Sequence, residues 1–511
     1  MKKIIAIILS FVATTMFATN GMNMIGFGPK SSAMGGIGLG LWNDASSMNI
    51  NPATISFIKN KKLDLNVGLL MPKVTFKNSL NDTEGENNIF PMPNISYVNG
   101  NDSKLTFGLS FFTQGGMGAT YKDMSHNIFR NYDMNPQTQD DPLVSNLEYH
   151  SKVGYMKFLP TISYKVTPKL AFGVSPSVGY AMLEMKMPYS LKPSVMKGVA
   201  NPETGMTFGD MFGTPAEQGG LGYHEVTAYA DMGDAADAYG FGANFGSSYK
   251  YNDNLSFGFS YALQSELTFK GNASMDMTAQ FGQAFERMVG GALMQMGITD
   301  ISTATPEQIQ QASQGVGQQL TGMGIDMSKG MISYFDTEIT MNWPQELGLG
   351  FAYKASEKFS FGLDLKWIDW EDAMKNFKMK FKNGTNDNIT RMMGNKDLNL
   401  TMPLDWDNQI AIALGAQYNV NEKLALRFGY NFANNPVPEE TTIPIFPAVV
   451  ENHITLGFGY KVMPNASFDL AYEYNMEKEA DVETSIIGDE YNNSKSTLSE
   501  NVVHCGLTYN F

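Results

Sequence analysis

From residue 63 to the last residue the chain repeats one format. A segment with every other residue apolar is followed by a polar stretch of variable length, a second such segment, and a very short turn. A period of two belongs to strands and to no helix. The short turns are Asn99–Lys104, Thr167–Lys169, Asn252–Asn254, Ser356–Lys358, Asn419–Lys423 and Met463–Asn465. Asn, Asp, Gly and Pro dominate them, as tight hairpins demand. Longer connections lie around 77–91, 119–150, 187–236, 273–333, 383–397, 435–447 and 481–497. Six short turns and seven long loops require about fourteen strands. Short turns on one side and long loops on the other is the format of a transmembrane antiparallel β-barrel.

Three segments show the alternation most clearly. Phe359, Phe361, Leu363, Leu365 and Trp367 share one face, opposite Ser360, Gly362, Asp364 and Lys366. Leu424, Leu426, Phe428, Tyr430 and Phe432 lie opposite Arg427 and Asn431; Phe468, Leu470, Tyr472 and Tyr474 lie opposite Asp469 and Glu473. Such aromatic faces, recurring strand after strand, fit lipid outside and a polar lumen inside. The last strand, Val502–Phe511, alternates to a terminal aromatic, the kind of signal that barrel assembly machinery reads, and must pair with the first strand to leave no free edge. A mean hydropathy of −0.21 and a net charge of −15 do not contradict a membrane location, because only alternate residues of a barrel face lipid. The single cysteine, Cys505, rules out an internal disulfide. The acidic balance argues against nucleic acid as a partner.

The ends divide the chain into three parts. Residues 1–18 have the layout of a signal peptide, with Lys2 and Lys3 ahead of an apolar run and Ala18 before the cut. Residues 19–57 include the stretch Ser31–Phe57, rich in Gly, Ala and Ser with no strand-length run, which suits a plug (hatch) packed in the lumen. Residues 58–511 form the barrel. The loop at about 273–333 departs from the β pattern: within 275–298, Met277, Phe281, Phe285, Met288, Val289, Leu293 and Met296 recur at helical spacing. A second helix is expected over Pro306–Leu320, with Thr305 as its N-cap. These two helices either pack on each other as a lid or line an apolar groove for a greasy ligand.

Several motifs in order carry a resemblance. They are Asn43-Asp44-Ala45-Ser46 and Asn51-Pro52-Ala53; Asn342-Trp343-Pro344-Gln345-Glu346; Asp364 through Trp370; Trp406-Asp407-Asn408; Arg427-Phe428-Gly429-Tyr430; Asn435-Pro436-Val437-Pro438; and Glu451 through Tyr460. This series resembles the FadL/TodX-type family (OMPP1/FadL/TodX) of bacterial outer-membrane transporters for long-chain fatty acids and aromatic hydrocarbons. The resemblance implies a fourteen-stranded barrel, porin-like in its wall, closed by an N-terminal hatch whose motif is Asn43, Asp44, Asn51, Pro52 and Ala53. It also implies capture in an extracellular groove, passage to a luminal site, and release through a kinked strand. Here the kink candidates are Gly115, Gly116 and Gly118 in Phe112–Tyr121, since glycines inside a strand mark bends or bulges.

A fatty acid brings an alkyl chain, worth roughly 0.8 kcal/mol per buried CH₂, and a carboxylate that must be neutralised in a low-dielectric lumen. The inward cations Lys366 and Arg427, with His453 and His504, are the candidates for that charge. The competing account pairs them with Asp364, Asp469 and Glu473. The groove candidates are Met277, Phe281, Phe285, Met288, Leu293 and Met296. No Gly-x-Ser-x-Gly elbow, His-Glu-x-x-His site or phosphate loop is present, so no enzyme, cofactor or metal centre is expected. Glu439-Glu440 and Asp489-Glu490 are solvated loop charge or cation bridges to lipopolysaccharide. Expected partners are hydrophobic small molecules, outer-membrane lipids and lipopolysaccharide, and the assembly machinery, around a monomer. A lipid or surface-protein shuttle serving a secretion system is the alternative from another class, and an aromatic hydrocarbon channel the alternative cargo.

Overall fold

The computed structural model describes residues 20–40, 44–127 and 144–511. The expected signal peptide, the first hatch residue Thr19 and the motif residue Asn43 lie outside them. No described helix is long and apolar enough to cross a membrane, and the crossing is made by strands.

The main sheet is a closed antiparallel barrel. Lys62–Lys77 pairs with Phe90–Val98, which pairs in turn with Leu105–Asn127. The circuit continues through Val144–Lys165, Leu170–Leu191 and Val226–Lys250. The next four staves are each broken in two. They are Leu255–Ala262 with Ser265–Asp276, Glu346–Lys354 with Ile332–Trp343, Phe359–Ile368 with Asn376–Lys382, and Gln409–Asn419 with Leu398–Pro403. Leu424–Ala433, Asn452–Met463 and Ala466–Val482 follow, and Ser494–Asn510 returns to Lys62–Lys77 from Lys62↔Asn510 to Lys77↔Lys495. The sheet thus holds nineteen strand segments where the turn pattern predicts about fourteen strands. The difference comes from the broken staves and one short added piece, Asp82–Glu84. Pro344, which cannot donate to a ladder, stands at one of the breaks, and the short helix Trp370–Ala373 interrupts another.

Alternation follows the lipid rule. Phe359, Phe361 and Leu365 are exposed while Gly362, Asp364 and Lys366 between them are buried. The same holds for Leu426 and Phe428 against Arg427, and for Tyr472 and Tyr474 against Glu473. The outward residues form an apolar band around the barrel, up to Phe241 at 70% exposure, which only lipid can cover. All six short turns lie where the sequence places them. Asn252 and Asn421 each fold their side chain back onto the N–H groups two and three residues on, at 2.8–3.0 Å.

The long-loop side is more ordered than its sequence suggests. Strands reach Asn127, Leu191 and Asp276, well into stretches read as loop, because the wall continues beyond the apolar band. The first insert helix is consequently shorter than 275–298: it runs Thr278–Gln295, with Met277 at its N-cap. The second runs Pro306–Gly322, and the Thr305 hydroxyl accepts from Gln308 N in a capping box.

Candidate functional site

Residues 20–40 and 44–58 are buried almost throughout and bond to inward-facing groups around the circuit. Gly35 N donates to Thr455 Oγ1 (3.0 Å) and Asn431 Nδ2 to Gly35 O (3.0 Å). Asp364 receives the N–H groups of Gly38 and Leu39, at 2.7 and 3.0 Å. Asn51 Nδ2 donates to Leu39 O, Ser247 O and Ser248 Oγ, and its Oδ1 caps the turn Pro52–Phe57 through Ala53 N at 3.0 Å. Ser163 Oγ donates to Ala53 O at 3.2 Å. Wall glycines make this approach possible. A Cβ on Gly173 would overlap Pro52, on Gly246 the Asn51 amide, and on Gly258 the Leu39 carbonyl. Gly429 is filled by Gly35, whose own φ of 68° is left-handed.

Charge holds the same segment. Lys30 Nζ lies 2.9 Å from Thr508 Oγ1 and 3.8 Å from Asp469. Burial opposes the Lys30 charge, but Asp44, Asp64 and Asp469 raise its pKa above the ordinary lysine value. Asp44 is buried too, yet Lys30, the Asp64 hydrogen bond and Lys62 bring it down to about 2. Its carboxylate also caps Ala45–Asn49 through Ser46 N at 3.1 Å. Beneath the segment, a cavity of about 550 Å³ with a mixed lining, charged at Lys30, Asp44 and Arg427 and apolar at Phe27, Met34 and Ile37, opens beside the short turns at Asn254 and Ser356.

The four charge candidates fall on the lumen side, each already engaged. Arg427 Nη1 donates to Asp469 Oδ1 (2.7 Å) and Nε to Gln417 Oε1 (2.8 Å). Lys366 pairs with Glu346 at 3.2 Å, not with Asp364, whose carboxylate the N-terminal segment takes. His504 Nε2 lies 3.4 Å from Glu473 Oε2, and His453 Nδ1 lies 3.3 Å from Asn431 O. The luminal cation that pattern reading misses is Lys157. It is 6% exposed, inside a strand whose faces the sequence analysis does not assign, and its ammonium lies 5.1 Å from the Tyr155 ring centroid. Among the described residues no carboxylate reaches it within ion-pair distance. It lines a small polar cavity of about 20 Å³ with Lys366, Glu346, Asn23, Gln114 and Asn244.

Beside that cavity the wall is interrupted. The ladder between Leu105–Asn127 and Val144–Lys165 slips by one residue between Thr113 and Gly115, leaving a bulge at Gln114. Gly115, Gly116 and Gly118 remain paired on that side, with Tyr155, Gly154 and Lys152. On the other side, pairing with Phe90–Val98 stops at Phe112. Two prolines missed by the sequence reading explain the stop. Asn99 N donates to Phe107 O, so odd-numbered N–H groups of this regular strand face Leu105–Asn127, and at positions 91 and 93 proline has none. The N-terminal segment takes up the freed edge: Gly116 N donates to Met22 O (3.0 Å) and Met24 N to Gln114 O (3.2 Å). Asn23 Oδ1 accepts from both Gln114 Nε2 (2.9 Å) and Trp343 Nε1 (2.7 Å).

Above this level apolar side chains fill most of the lumen, with Asn475 Nδ2 donating to a buried Glu500 among them. Tyr155, Trp343, Trp370 and Trp406 follow one another in tilted and edge-to-face contacts with ring centroids 5.0, 6.1 and 5.2 Å apart. Of the groove candidates, Met277, Phe281 and Leu293 are buried, and Phe285 and Met288 partly so, against Val316, Leu320 and Phe212. Met296 alone of the six is exposed, at 42%. The stripe is spent on packing helix to helix. The neighbouring apolar cleft that is present lies between Leu191, Val226, Met277, Ile389 and Leu400. His224, Glu225 and Asp489 bring three donor atoms within 4.8 Å of one another, but the Lys192 ammonium stands 2.7 Å from His224 Nε2, where a metal would be repelled.

Residues 5–511 match the model of a family described as outer membrane protein transport protein (OMPP1/FadL/TodX). Outer membrane protein P1 of Haemophilus influenzae is 28% identical over 182 residues, 34% of this chain and 37% of that protein. The 47 kDa outer membrane protein of Pasteurella multocida is 22% identical over 47% of this chain and 44% of its own length. The chain therefore aligns with less than half of these relatives. The toluene transporter TodX of P. putida superposes with a TM-score of 0.65 at 18% identity, covering 95% of this chain and 99% of that one. A Pseudomonas aeruginosa FadL homologue gives 0.63 at 17% identity, over 98% and 100%. At these identities the superpositions establish the barrel fold.

Proposed function

For a chain that belongs to the OMPP1/FadL/TodX family, and is therefore an outer-membrane transporter of hydrophobic compounds and not an enzyme, we propose that the cargo is a long-chain fatty acid. The supporting observation is Lys157, a buried luminal ammonium that no carboxylate pairs among the described residues. Glu346 shares the cavity and attracts the ammonium without reaching ion-pair distance, so burial leaves a cost that a ligand carboxylate in contact would relieve. The cavity must widen to take it, while Trp343, Trp370 and Tyr155 offer the alkyl chain an apolar wall. Residues 20–57 act as the hatch, with Asn51–Ala53 its anchor. The break between Pro93 and Thr113 serves as the lateral exit, since it opens the wall beside the Lys157 cavity while residues 20–57 stand between that cavity and the short-turn end.

The measurement is binding of oleate and of toluene to the detergent-purified protein. Lys157→Met is expected to weaken oleate about 10- to 100-fold, the loss of one charge-assisted hydrogen bond at roughly 1.5–3 kcal/mol, and to leave toluene unchanged. The clustered aromatics favour a second reading, an aromatic hydrocarbon channel, the cargo that the name of the TodX toluene transporter carries. Toluene binding with no oleate binding in the parent protein would establish that reading instead.

A further inference from the structure

The connection between Leu424–Ala433 and Asn452–Met463 does not stay at the rim. Its first half is clamped there: Asp407 N donates to Pro436 O (2.7 Å), Thr441 Oγ1 to Leu404 O (2.7 Å), and Ile486 N to Glu440 O (3.0 Å). Beyond Thr442 it descends into the bore. Ile443, Ile445, Val449 and Val450 are each at most 2% exposed, in the same apolar cluster as Trp370 and Trp406. Phe446 packs on Phe377, ring centroids 6.4 Å apart. The Ile445 carbonyl accepts from the Ser151 hydroxyl. Ser151 belongs to Val144–Lys165, across the circuit from the two staves that carry the connection, so the tip spans the bore. Ser151 pairs in register with Ala119, beyond the Gly116↔Gly154 pair at the bulge, which sets the tip over the wall break and the Lys157 cavity.

Little besides apolar burial holds the tip. Its own backbone bonds close locally, Phe446 N to Ile443 O (3.1 Å) and Val449 N to Pro447 O (2.8 Å), and Pro444 and Pro447 have no N–H to give. We infer that Ile443–Val450 is a built-in stopper that fills the bore in place of cargo and is displaced by an apolar ligand. Water cannot replace the burial the tip would lose, so an unloaded barrel stays shut to water and ions. A hydrophobic ligand can replace it, and so has the differential affinity that opening requires. This inference rests on the lumen being the cargo path, as proposed above.

The test is a cysteine pair, Ser151→Cys with Ile445→Cys, in a Cys505→Ser background, in the full-length protein. Oxidation should give a faster band on a non-reducing gel and cut oleate uptake by cells at least tenfold, with recovery on adding dithiothreitol. Failure of the pair to oxidise, or wild-type uptake with the bridge formed, would overturn the stopper. A second measurement needs no cargo: with Ser151→Cys as reporter in the Cys505→Ser background, Ile445→Ser with Val449→Ser, or the milder Ile445→Ala, should speed alkylation of the residue-151 thiol by a charged reagent added from outside several-fold. Unchanged alkylation in a correctly folded, heat-modifiable variant counts against the stopper. If the parent binds neither oleate nor toluene, the cargo reading fails, and the alkylation arm still decides the stopper.

Discussion

Asn51 joins three parts of the molecule through one amide. Its two N–H groups reach Leu39 O, Ser247 O and Ser248 Oγ, and its Oδ1 caps the turn that follows. Leu39, Ser248 and Ala53 are fully buried and cannot turn to solvent if the amide is lost. Asn51→Ala is expected to cost on the order of 1–3 kcal/mol for groups left unsatisfied, and to loosen the segment from Ser247 locally. The check is amide exchange together with thermal melting; the prediction is faster exchange over residues 44–58 with a lower transition, and it fails if both are unchanged. Deleting Asn51–Ala53 outright should be more severe, leaving the Gly173 and Gly246 hollows empty. At this scale the sequence was readable where a motif marked the residue, as at Asn51-Pro52-Ala53. It was unreadable where the signal was one polar residue among apolar ones, as at Lys157, or a glycine whose neighbour is far away in the chain, as Gly246 is from Asn51.

Strand by strand, alternation was legible because lipid imposes it on every stave independently of its neighbours. Long-range pairing was not, and the wall break illustrates why. Gly115, Gly116 and Gly118 lie in the strand that carries the register slip, but they keep their ladder with Val144–Lys165. The missing pairs are those with Phe90–Val98, and Pro91 and Pro93 in that partner strand account for them. Seeing this from sequence needs the register and the parity of N–H groups, which the turn lengths alone do not supply. Restoring the donors with Pro91→Thr and Pro93→Thr should extend the ladder past Asn94 and narrow the opening. Slower cargo uptake with added amide-exchange protection at the new positions is the expected result. Uptake at the parental rate despite that protection would remove the gap from the exit path. The insert helices show the converse limit: their stripe of Met and Phe was plain in the sequence, but its partner was not, and the stripe turned out to face Val316 and Leu320.

For the molecule as a whole, buried side chains pack at three levels along the barrel axis. Residues 20–40 and 44–58 are buried near the short turns, the aromatics Tyr155 to Trp406 and the tip Ile443–Val450 lie above them, and the two insert helices pack over the long-loop end. The wall itself does not depend on these fillings: its ladder closes through Lys62–Lys77 and Ser494–Asn510, with every stave paired on both sides over part of its length. Removing residues 20–57 should therefore leave a barrel that still inserts and still shifts with heating on a gel. It would carry exposed Asp364, Thr455 and Asn431 in an aqueous bore, since their present partners are Gly38, Leu39 and Gly35. Ion conductance should stay low while Ile443–Val450 remains seated, but oleate should no longer be retained, because the Asn23 side of the Lys157 cavity and the cover over the Gln114 edge leave with the segment. A truncated protein that fails to insert at all would instead make the segment part of the folding nucleus, with the wall unable to close without it.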